Sequence, residues 1–300
     1  MRDVRAALLA SGMTPPESAL PESSLSGDVP PVLVSRDGPV LHLRLNRPAV
    51  RNALNAELVA ALHRELLAAQ ADPAVRCVVL SGEGRAFSAG ADLKALQALG
   101  SASSEENRAD SARLADLLNL IYTGPTPVVA AVEGAAVAGG AGLACVCDVV
   151  VSGAGARFGY TEVRLGFVAA IVMVFLLRAV GEKHARELLL TGRLVPADTA
   201  CRMGLVNEVV PDGEALLRAT QVAQEIALGS RVALATTREM LSLLPGMGLQ
   251  EGLRYAVLTN AWTRTTSDLQ EGVAAFLEKR EPAWRPAPQG GTSGRGGRDG

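Results

Sequence analysis

The sequence predicts an α/β fold in which strands alternate with helices early in the chain and helices dominate its end. Short apolar runs that end in glycine, such as CVVLSG at 77–82, are typical of buried strands in a parallel sheet. Stretches with apolar residues at helical spacing lie between these runs. After about residue 168 almost every segment has the helical pattern, which indicates a helical C-terminal module.

The elements can be assigned in order along the chain. Val32–Ser35 and Val40–Leu45 flank Asp37-Gly38 and predict a β-hairpin. Asn55 is a suitable N-cap for a helix that runs to about Ala71. A loop followed by a helix is predicted over 84–100. The remaining predictions are strands at 77–82, 127–134, 148–153 and about 205–210, and helices at about 104–122, 169–180, 182–190, 197–203, 214–228, 231–243, 247–262 and 268–280.

Composition and length predict one large globular unit with two appended segments. The chain has 300 residues, of which 48% are hydrophobic and 20% charged. We expect a disordered Pro- and Ser-rich segment at 1–30, an α/β core at 31–212, a helical module at 213–285 and a flexible Gly-rich tail at 286–300. The net charge of −2 provides no general attraction to nucleic acid or to an anionic membrane.

The chain is expected to be a cytoplasmic protein without a metal. Its N-terminus lacks the apolar core of a signal peptide. The longest apolar run, Phe167–Leu177, is too short to span a bilayer, and we expect it to be a buried core helix. The four cysteines lie in apolar runs and are expected to be buried, reduced thiols. They are too sparse for a zinc framework.

Two segments share a plan that is suited to binding an anionic oxygen. CVVLSG leads into AFSAGADLK, and PVVAAVEG leads into AVAGGAGLA. In each, a strand is followed by a turn of small residues and a helix N-terminus, whose first N–H groups lack intrahelical partners and favour negative charge. The composition is compatible either with tight packing or with two donors that form an oxyanion hole.

These segments resemble the two signature segments of the crotonase superfamily, the enoyl-CoA hydratases and isomerases. Further blocks resemble that family in its own order over about residues 31–285, namely LNRPAVRNALN, ARFGYTEVRLGF, LTGRLVPADTACRMGLVNEVVP and DLQEGVAAFLEKREPAW. The resemblance implies a spiral of ββα units with a helical C-terminal trimerisation module. It also implies an acyl-CoA substrate, no separate cofactor, and a homotrimer or a dimer of trimers.

Most site residues are assigned by this resemblance. The oxyanion-hole N–H groups fall on Ala91 and Gly139. Arg51 and Lys94 are expected near the nucleotide and its phosphates, with the backbone of Asp92 and Leu93 near the adenine. The site is completed by Ala89, Gly140 and Gly142, and by Phe276 and Lys279 from a neighbouring subunit.

One position departs from the family's pattern. Hydratases of the family commonly use two glutamates, of which the second matches Glu162, whereas the first falls on Gly142. A single carboxylate can serve as acid and base in turn. Glu162 could therefore support hydration or the movement of a double bond, and an ion pair of Glu162 with Arg157 or Arg164 is the structural alternative.

The sequence leaves several functional hypotheses open. The preferred one is an enoyl-CoA hydratase-like enzyme, with a methylglutaconyl-CoA hydratase as one possible type. The alternatives are an enoyl-CoA isomerase and a non-catalytic member that binds acyl-CoA or, through its tail, RNA, although nucleic acid is not the expected partner. If residues 162–164 are extended, Arg164 lies on the same side as Glu162 and could meet an acidic acyl tail. We expect structural roles for Asp92, Glu133 and Asp148.

Overall fold

The computed structural model describes residues 29–285. The predicted tail, and all but the last two residues of the predicted N-terminal segment, lie outside this range. The strands are β1 (Val32–Asp37), β2 (Val40–Leu45), β3 (Cys77–Gly82), β4 (Ala86–Ser88), β5 (Val128–Val132), β6 (Ala135–Val137), β7 (Val149–Gly153), β8 (Arg157–Gly159), β9 (Val195–Pro196) and β10 (Glu208–Val210). The helices are α1 (Ala56–Ala71), α2 (Leu93–Leu99), α3 (Ser104–Thr123), α4 (Gly139–Cys145), α5 (Ala170–Thr191), α6 (Ala197–Met203), α7 (Ala215–Ala227), α8 (Arg231–Leu243), α9 (Leu249–Thr263) and α10 (Ser267–Leu277).

The strands form two sheets. The larger has the order β1-β2-β3-β5-β7-β10, with β1 and β2 antiparallel and the other pairs parallel. The smaller has the order β4-β6-β8-β9, with β9 antiparallel to β8. The pairs β3–β4, β5–β6 and β7–β8 each place one strand in the larger sheet and the next in the smaller, and each pair is followed by a helix. The predicted spiral of ββα units is therefore confirmed.

Helices cover the larger sheet with two different apolar faces. On α1 an apolar stripe of Leu58, Leu62 and Leu66 is buried, and the Leu58 N–H donates to the capping Asn55 Oδ1 at 3.0 Å. A second cluster joins the sheet to alanines 215, 219 and 223 of α7. The core thus includes α7, although the sequence assigns that helix to the C-terminal module.

The expectation that Phe167–Leu177 is a buried core helix is wrong in part. The helix α5 begins at Ala170, and several side chains of the run are exposed, including Phe167 and Val174. Burial follows one face of the helix, because Val172, Leu176 and Val180 are four residues apart. Within residues 29–285, no helix has the length and apolarity needed to cross a membrane.

Candidate active site

Three parallel strands of the smaller sheet bring the predicted site segments to one edge. Ser88 of β4 pairs with Ala136 of β6, and Val137 of β6 pairs with Gly159 of β8. The carboxyl ends of parallel strands meet at the same edge of a sheet, which is where α/β proteins commonly bind ligands. The residues that follow the strands are 89–91, 138–139 and 160–162, so the sheet topology collects both predicted oxyanion donors and Glu162.

The two predicted donors lack backbone acceptors among the described residues. Leu54 forms a parallel bridge with Ala91: its N–H donates to the Gly90 carbonyl at 2.7 Å, and its carbonyl accepts from the Asp92 N–H at 3.0 Å. The Ala91 N–H lies between these bonds and takes part in neither. Gly139 is the first residue of α4, where a helix leaves its N–H groups unpaired. Both N–H groups are therefore available to a substrate oxygen.

The glycines of this region serve close packing as well as access. A Cβ on Gly90 would lie 3.3 Å from the Gly139 nitrogen, so the two loops meet backbone to backbone. A Cβ on Gly140 would lie 2.4 Å from the Ser88 carbonyl oxygen. At Gly139 the nearest atom is Leu54 Cδ1 at 3.3 Å, the far end of a flexible side chain. Tight packing thus explains Gly90 and Gly140, whereas Gly139 keeps more space.

Ala138 holds a strained backbone immediately before the second donor. Its φ of 53° and ψ of −124° are unusual for a residue with a side chain. Its N–H donates to the Gly159 carbonyl at 2.8 Å, which ties the start of α4 to the end of β8. Strain of this kind is frequent at functional sites.

The NRPAVRNALN loop is held by a buried asparagine that the sequence did not reveal. Asn52 Oδ1 accepts from the Arg47 N–H at 2.8 Å, and Asn52 Nδ2 donates to the Ala86 carbonyl at 2.8 Å. Arg51 and Asn52 both have positive φ, so the loop turns sharply here. Arg51 is exposed, and its carbonyl accepts from the Ala89 N–H at 2.9 Å.

Asp92 has the structural role expected from its sequence. Its Oδ1 accepts from the Lys94 N–H at 3.1 Å and caps α2, and its Oδ2 accepts from Arg47 Nη2 at 3.1 Å. Desolvation raises the pKa of Asp92, but the hydrogen bonds from Arg47 and from backbone N–H groups outweigh it and hold the pKa below its ordinary value. The side chains of Leu93 and Lys94 are exposed next to this cap.

Glu162 is a buried carboxyl group with one oxygen that has no hydrogen-bond partner. It is the first residue of a short 3₁₀ helix, Glu162–Leu165, and is 8% exposed. Its Oε2 has no hydrogen-bond partner, and among the described residues no ion pair joins it to Arg157 or Arg164. Burial raises the pKa of Glu162, because it disfavours the charged form, although a hydrogen bond from its own backbone N–H opposes this. A raised carboxyl pKa suits a group that exchanges protons near neutral pH.

The place of the family's other glutamate is filled from another helix. A Cβ on Gly142 would lie 2.2 Å from Val172 Cγ1 and 2.9 Å from Val172 Cβ. Val172 belongs to α5 and is 3% exposed, so it has little room to move. A carboxylate cannot be accommodated at position 142 without rearranging α5. Sequence inspection missed Val172, because only the fold brings it opposite Gly142.

The structure does not support the geometric premise for Arg164. Residues 162–165 form a 3₁₀ helix and not an extended segment, so alternation does not place Arg164 beside Glu162. The Arg164 side chain packs at Gly192, where an added Cβ would lie 3.2 Å from its Nε. Phe276 is 83% exposed on α10, and Lys279 follows that helix with a positive φ. Their contribution to a neighbouring subunit's site stays a prediction.

Asp148 and Glu133 are structural, as expected. Asp148 Oδ2 accepts from the Val128 N–H at 2.7 Å, and its Oδ1 accepts from Arg238 Nε at 2.8 Å. Glu133 Oε1 accepts from the N–H groups of Gly213 and Ala215, at the start of α7. Over residues 29–285, no group of three His, Cys, Asp or Glu side chains is arranged to hold a metal ion. The four cysteines are free, two of them buried and two half-buried.

Comparison with known proteins identifies the family. The enoyl-CoA hydratase/isomerase family model matches residues 35–287. A protein of Thermus thermophilus named "Putative enoyl-CoA hydratase" is 54% identical over 82% of this chain and 97% of its own length. The 2,3-dehydroadipyl-CoA hydratase of Escherichia coli is 37% identical over 85% of this chain and 98% of its own. An enoyl-CoA hydratase structure from Mycobacterium smegmatis superposes with a TM-score of 0.80 at 36% identity, covering 85% of this chain and 99% of that one. The chain therefore belongs to the enoyl-CoA hydratase/isomerase family of the crotonase superfamily.

Proposed function

We propose that this enzyme adds water to the α,β-double bond of an enoyl-CoA thioester, with Glu162 as its single acid–base carboxylate. The N–H groups of Ala91 and Gly139 would bind the thioester carbonyl oxygen as it becomes an enolate oxygen. One well-placed donor of this type contributes about 3 kcal/mol to a transition state. Arg51 and Lys94, both exposed, would meet the CoA phosphates.

The reaction can be balanced with one carboxylate. The Glu162 carboxylate takes a proton from water while the water oxygen bonds to Cβ. The electron pair of the double bond moves toward the thioester, whose oxygen carries the negative charge. Protonated Glu162 then returns the proton to Cα, which restores the carboxylate and the thioester. The net change is the addition of one water molecule.

One observation supports this proposal above the others. Glu162 is buried, with its Oε2 unpartnered, at the sheet edge that also presents two available N–H groups. Leaving a buried carboxyl oxygen without a partner is costly, so such a group requires an explanation. A role in proton transfer supplies one.

The test is the ultraviolet absorbance of a conjugated trans-2-enoyl-CoA incubated with wild-type protein and with Glu162→Gln. We expect the conjugated-thioester signal to fall with wild type and to persist with the variant. Circular dichroism of both proteins controls for folding. If neither protein removes the signal, the hydratase proposal is refuted.

The packing of Val172 against Gly142 favours a second candidate, a Δ3-Δ2-enoyl-CoA isomerase. Moving a double bond requires one group that removes a proton from one carbon and returns it to another, and a lone Glu162 suffices. Incubation with a 3-enoyl-CoA would then generate the conjugated signal. Comparing the initial rates of the two reactions decides which activity dominates.

The acyl chain and the assembly are further proposals. The E. coli relative is named for a dicarboxylic acyl-CoA, which fits a substrate with an acidic acyl tail, as in a methylglutaconyl-type acyl-CoA. A kcat/KM for a dicarboxylic enoyl-CoA that does not exceed the value for an unsubstituted enoyl-CoA of the same chain length would refute that assignment. Exposed apolar side chains on α9 and α10, such as Val257, Leu258 and Phe276, support assembly into a trimer or a dimer of trimers. Sedimentation equilibrium would measure the number of subunits.

Binding of acyl-CoA without turnover would indicate the alternative of a non-catalytic family member. The tail invoked for RNA binding lies outside the described residues.

A further inference from the structure

A second buried polar group with an open hydrogen-bonding position lies two residues before Glu162. Tyr160 directly follows β8 and is 1% exposed, and its hydroxyl has only the Cys145 thiol as a hydrogen-bonding partner, without regular hydrogen-bond geometry. A buried tyrosine hydroxyl normally finds a strong partner, because leaving it without one costs about 1–3 kcal/mol. Two buried oxygens two residues apart, Tyr160 Oη and Glu162 Oε2, each lack a strong hydrogen bond, which indicates that the site is built to hold something polar.

The neighbours of the Tyr160 hydroxyl restrict what it can do. Its polar neighbours are the Cys145 thiol, at the end of α4, and the Glu162 carboxyl group, with which it interacts electrostatically. Desolvation raises the pKa of Tyr160 well above its ordinary value and that of Cys145 to about 12. Both groups are therefore neutral at working pH, and neither can replace the missing glutamate as a base.

A neutral phenol can still orient a water molecule. Water has two hydrogens, of which Glu162 must accept one before the oxygen attacks Cβ. The second hydrogen needs another acceptor, so that the oxygen's lone pair points at the substrate. The Tyr160 oxygen can accept it while its own hydrogen points to the Cys145 sulfur, which is a weak acceptor.

Given the proposed hydratase function, we propose that Tyr160 is a positioning residue, whose hydroxyl oxygen holds the water molecule that Glu162 activates. It performs the orienting part of the missing carboxylate's task and no proton transfer. Cys145 lies one helical turn beyond Gly142, and its role is to orient the phenol hydrogen.

The experiment compares Tyr160→Phe with wild type and with Tyr255→Phe, a control whose hydroxyl donates to Glu239 at the surface. We expect kcat for hydration to fall about 10- to 100-fold in Tyr160→Phe, with KM changed less than about twofold, since water is positioned and not the acyl-CoA. The urea midpoint should change little, because the only protein partner of the lost hydroxyl is the Cys145 sulfur, a weak acceptor. Tyr255→Phe should keep wild-type kcat.

A second readout separates water positioning from a general effect on Glu162. Isomerisation of a 3-enoyl-CoA uses Glu162 without an attacking water, so Tyr160→Phe should lower hydration at least about tenfold more than isomerisation. Wild-type kcat in Tyr160→Phe, or equal losses in both reactions, would overturn the inference while the hydratase proposal stands. A wild-type protein that does not hydrate enoyl-CoA would overturn both.

Discussion

Gly142→Ala should destabilise this protein, although alanine is the better helix former. Alanine in a helix interior is favoured over glycine by about 1 kcal/mol. At this position the added Cβ would lie 2.2 Å from Val172 Cγ1, well inside normal carbon contact. Val172 is itself in a helix, where a β-branched side chain has one strongly preferred rotamer, so its methyl cannot swing away cheaply. Overpacking of this kind costs about 1–3 kcal/mol, and we expect a net loss of about 1 kcal/mol.

The assay is urea unfolding of wild type, Gly142→Ala, Val172→Ala and the double variant. Val172→Ala alone should cost about 2 kcal/mol, because two buried methyl groups are lost. In that background Gly142→Ala should no longer destabilise, since the closest contact is gone. The double-mutant cycle should therefore give a favourable coupling of about 1 kcal/mol or more.

Gly252→Ala is the matched control for this prediction. Gly252 lies inside α9, and an added Cβ would meet Leu244 Cδ2 at 3.2 Å, the far end of a flexible side chain, and Met247 Cβ at 4.0 Å, an ordinary contact. Gly252→Ala should therefore stabilise the protein by about 0.5–1 kcal/mol. If Gly142→Ala stabilises the protein as much as Gly252→Ala does, the claim that Val172 occupies the place of the missing carboxylate is refuted.

Three further outcomes are expected. Glu162→Gln should raise thermal stability at pH 8, because the raised pKa of Glu162 makes its charged form unfavourable in the folded state. The gain should shrink as the pH falls through the pKa of Glu162 in the folded protein. It should vanish below about pH 4, the pKa of a glutamate in the unfolded chain. A gain that is equal at all pH values would contradict this. Ala138→Gly should stabilise by about 0.5 kcal/mol in urea unfolding, since relief of about 1–2 kcal/mol of positive-φ strain exceeds the entropy cost of glycine; a loss of stability would count against strain at Ala138. Arg238→Met should cost about 2 kcal/mol in the same assay, because Arg238 is 6% exposed and its loss leaves two buried backbone carbonyls and Asp148 without their donor. A neutral result would show that these bonds are dispensable.

Local pattern was sufficient for most of the longer elements. The hairpin around Gly38, the Asn55 cap and the buried strands 77–82 and 148–153 were predicted because their signals are carried by neighbouring residues. The strands β4, β6 and β8 were missed, because three residues are too few to show alternation. These short strands are nevertheless the ones that bring the site segments to one edge.

For the site residues too, some properties were predicted from the sequence and others depend on the fold. The sequence blocks assigned Ala91, Gly139 and Glu162 by resemblance, and their strand-to-helix context follows from local spacing. The condition for placing Arg164 beside Glu162, an extended segment, is not met, because residues 162–165 form a 3₁₀ helix and the Arg164 side chain packs at Gly192.

Order along the chain therefore establishes the α/β class, the family and the presence of one glutamate where two are common. It does not reveal what stands in the missing glutamate's place. Val172 is thirty residues from Gly142, and Tyr160 is fifteen from Cys145, so no periodicity relates either pair. Folding brings them together because β6 and β8 pair in parallel and α5 packs on α4. Contacts between distant segments depend on the packing of whole elements, and that packing fills the vacant carboxylate position and places the Tyr160 hydroxyl beside Cys145.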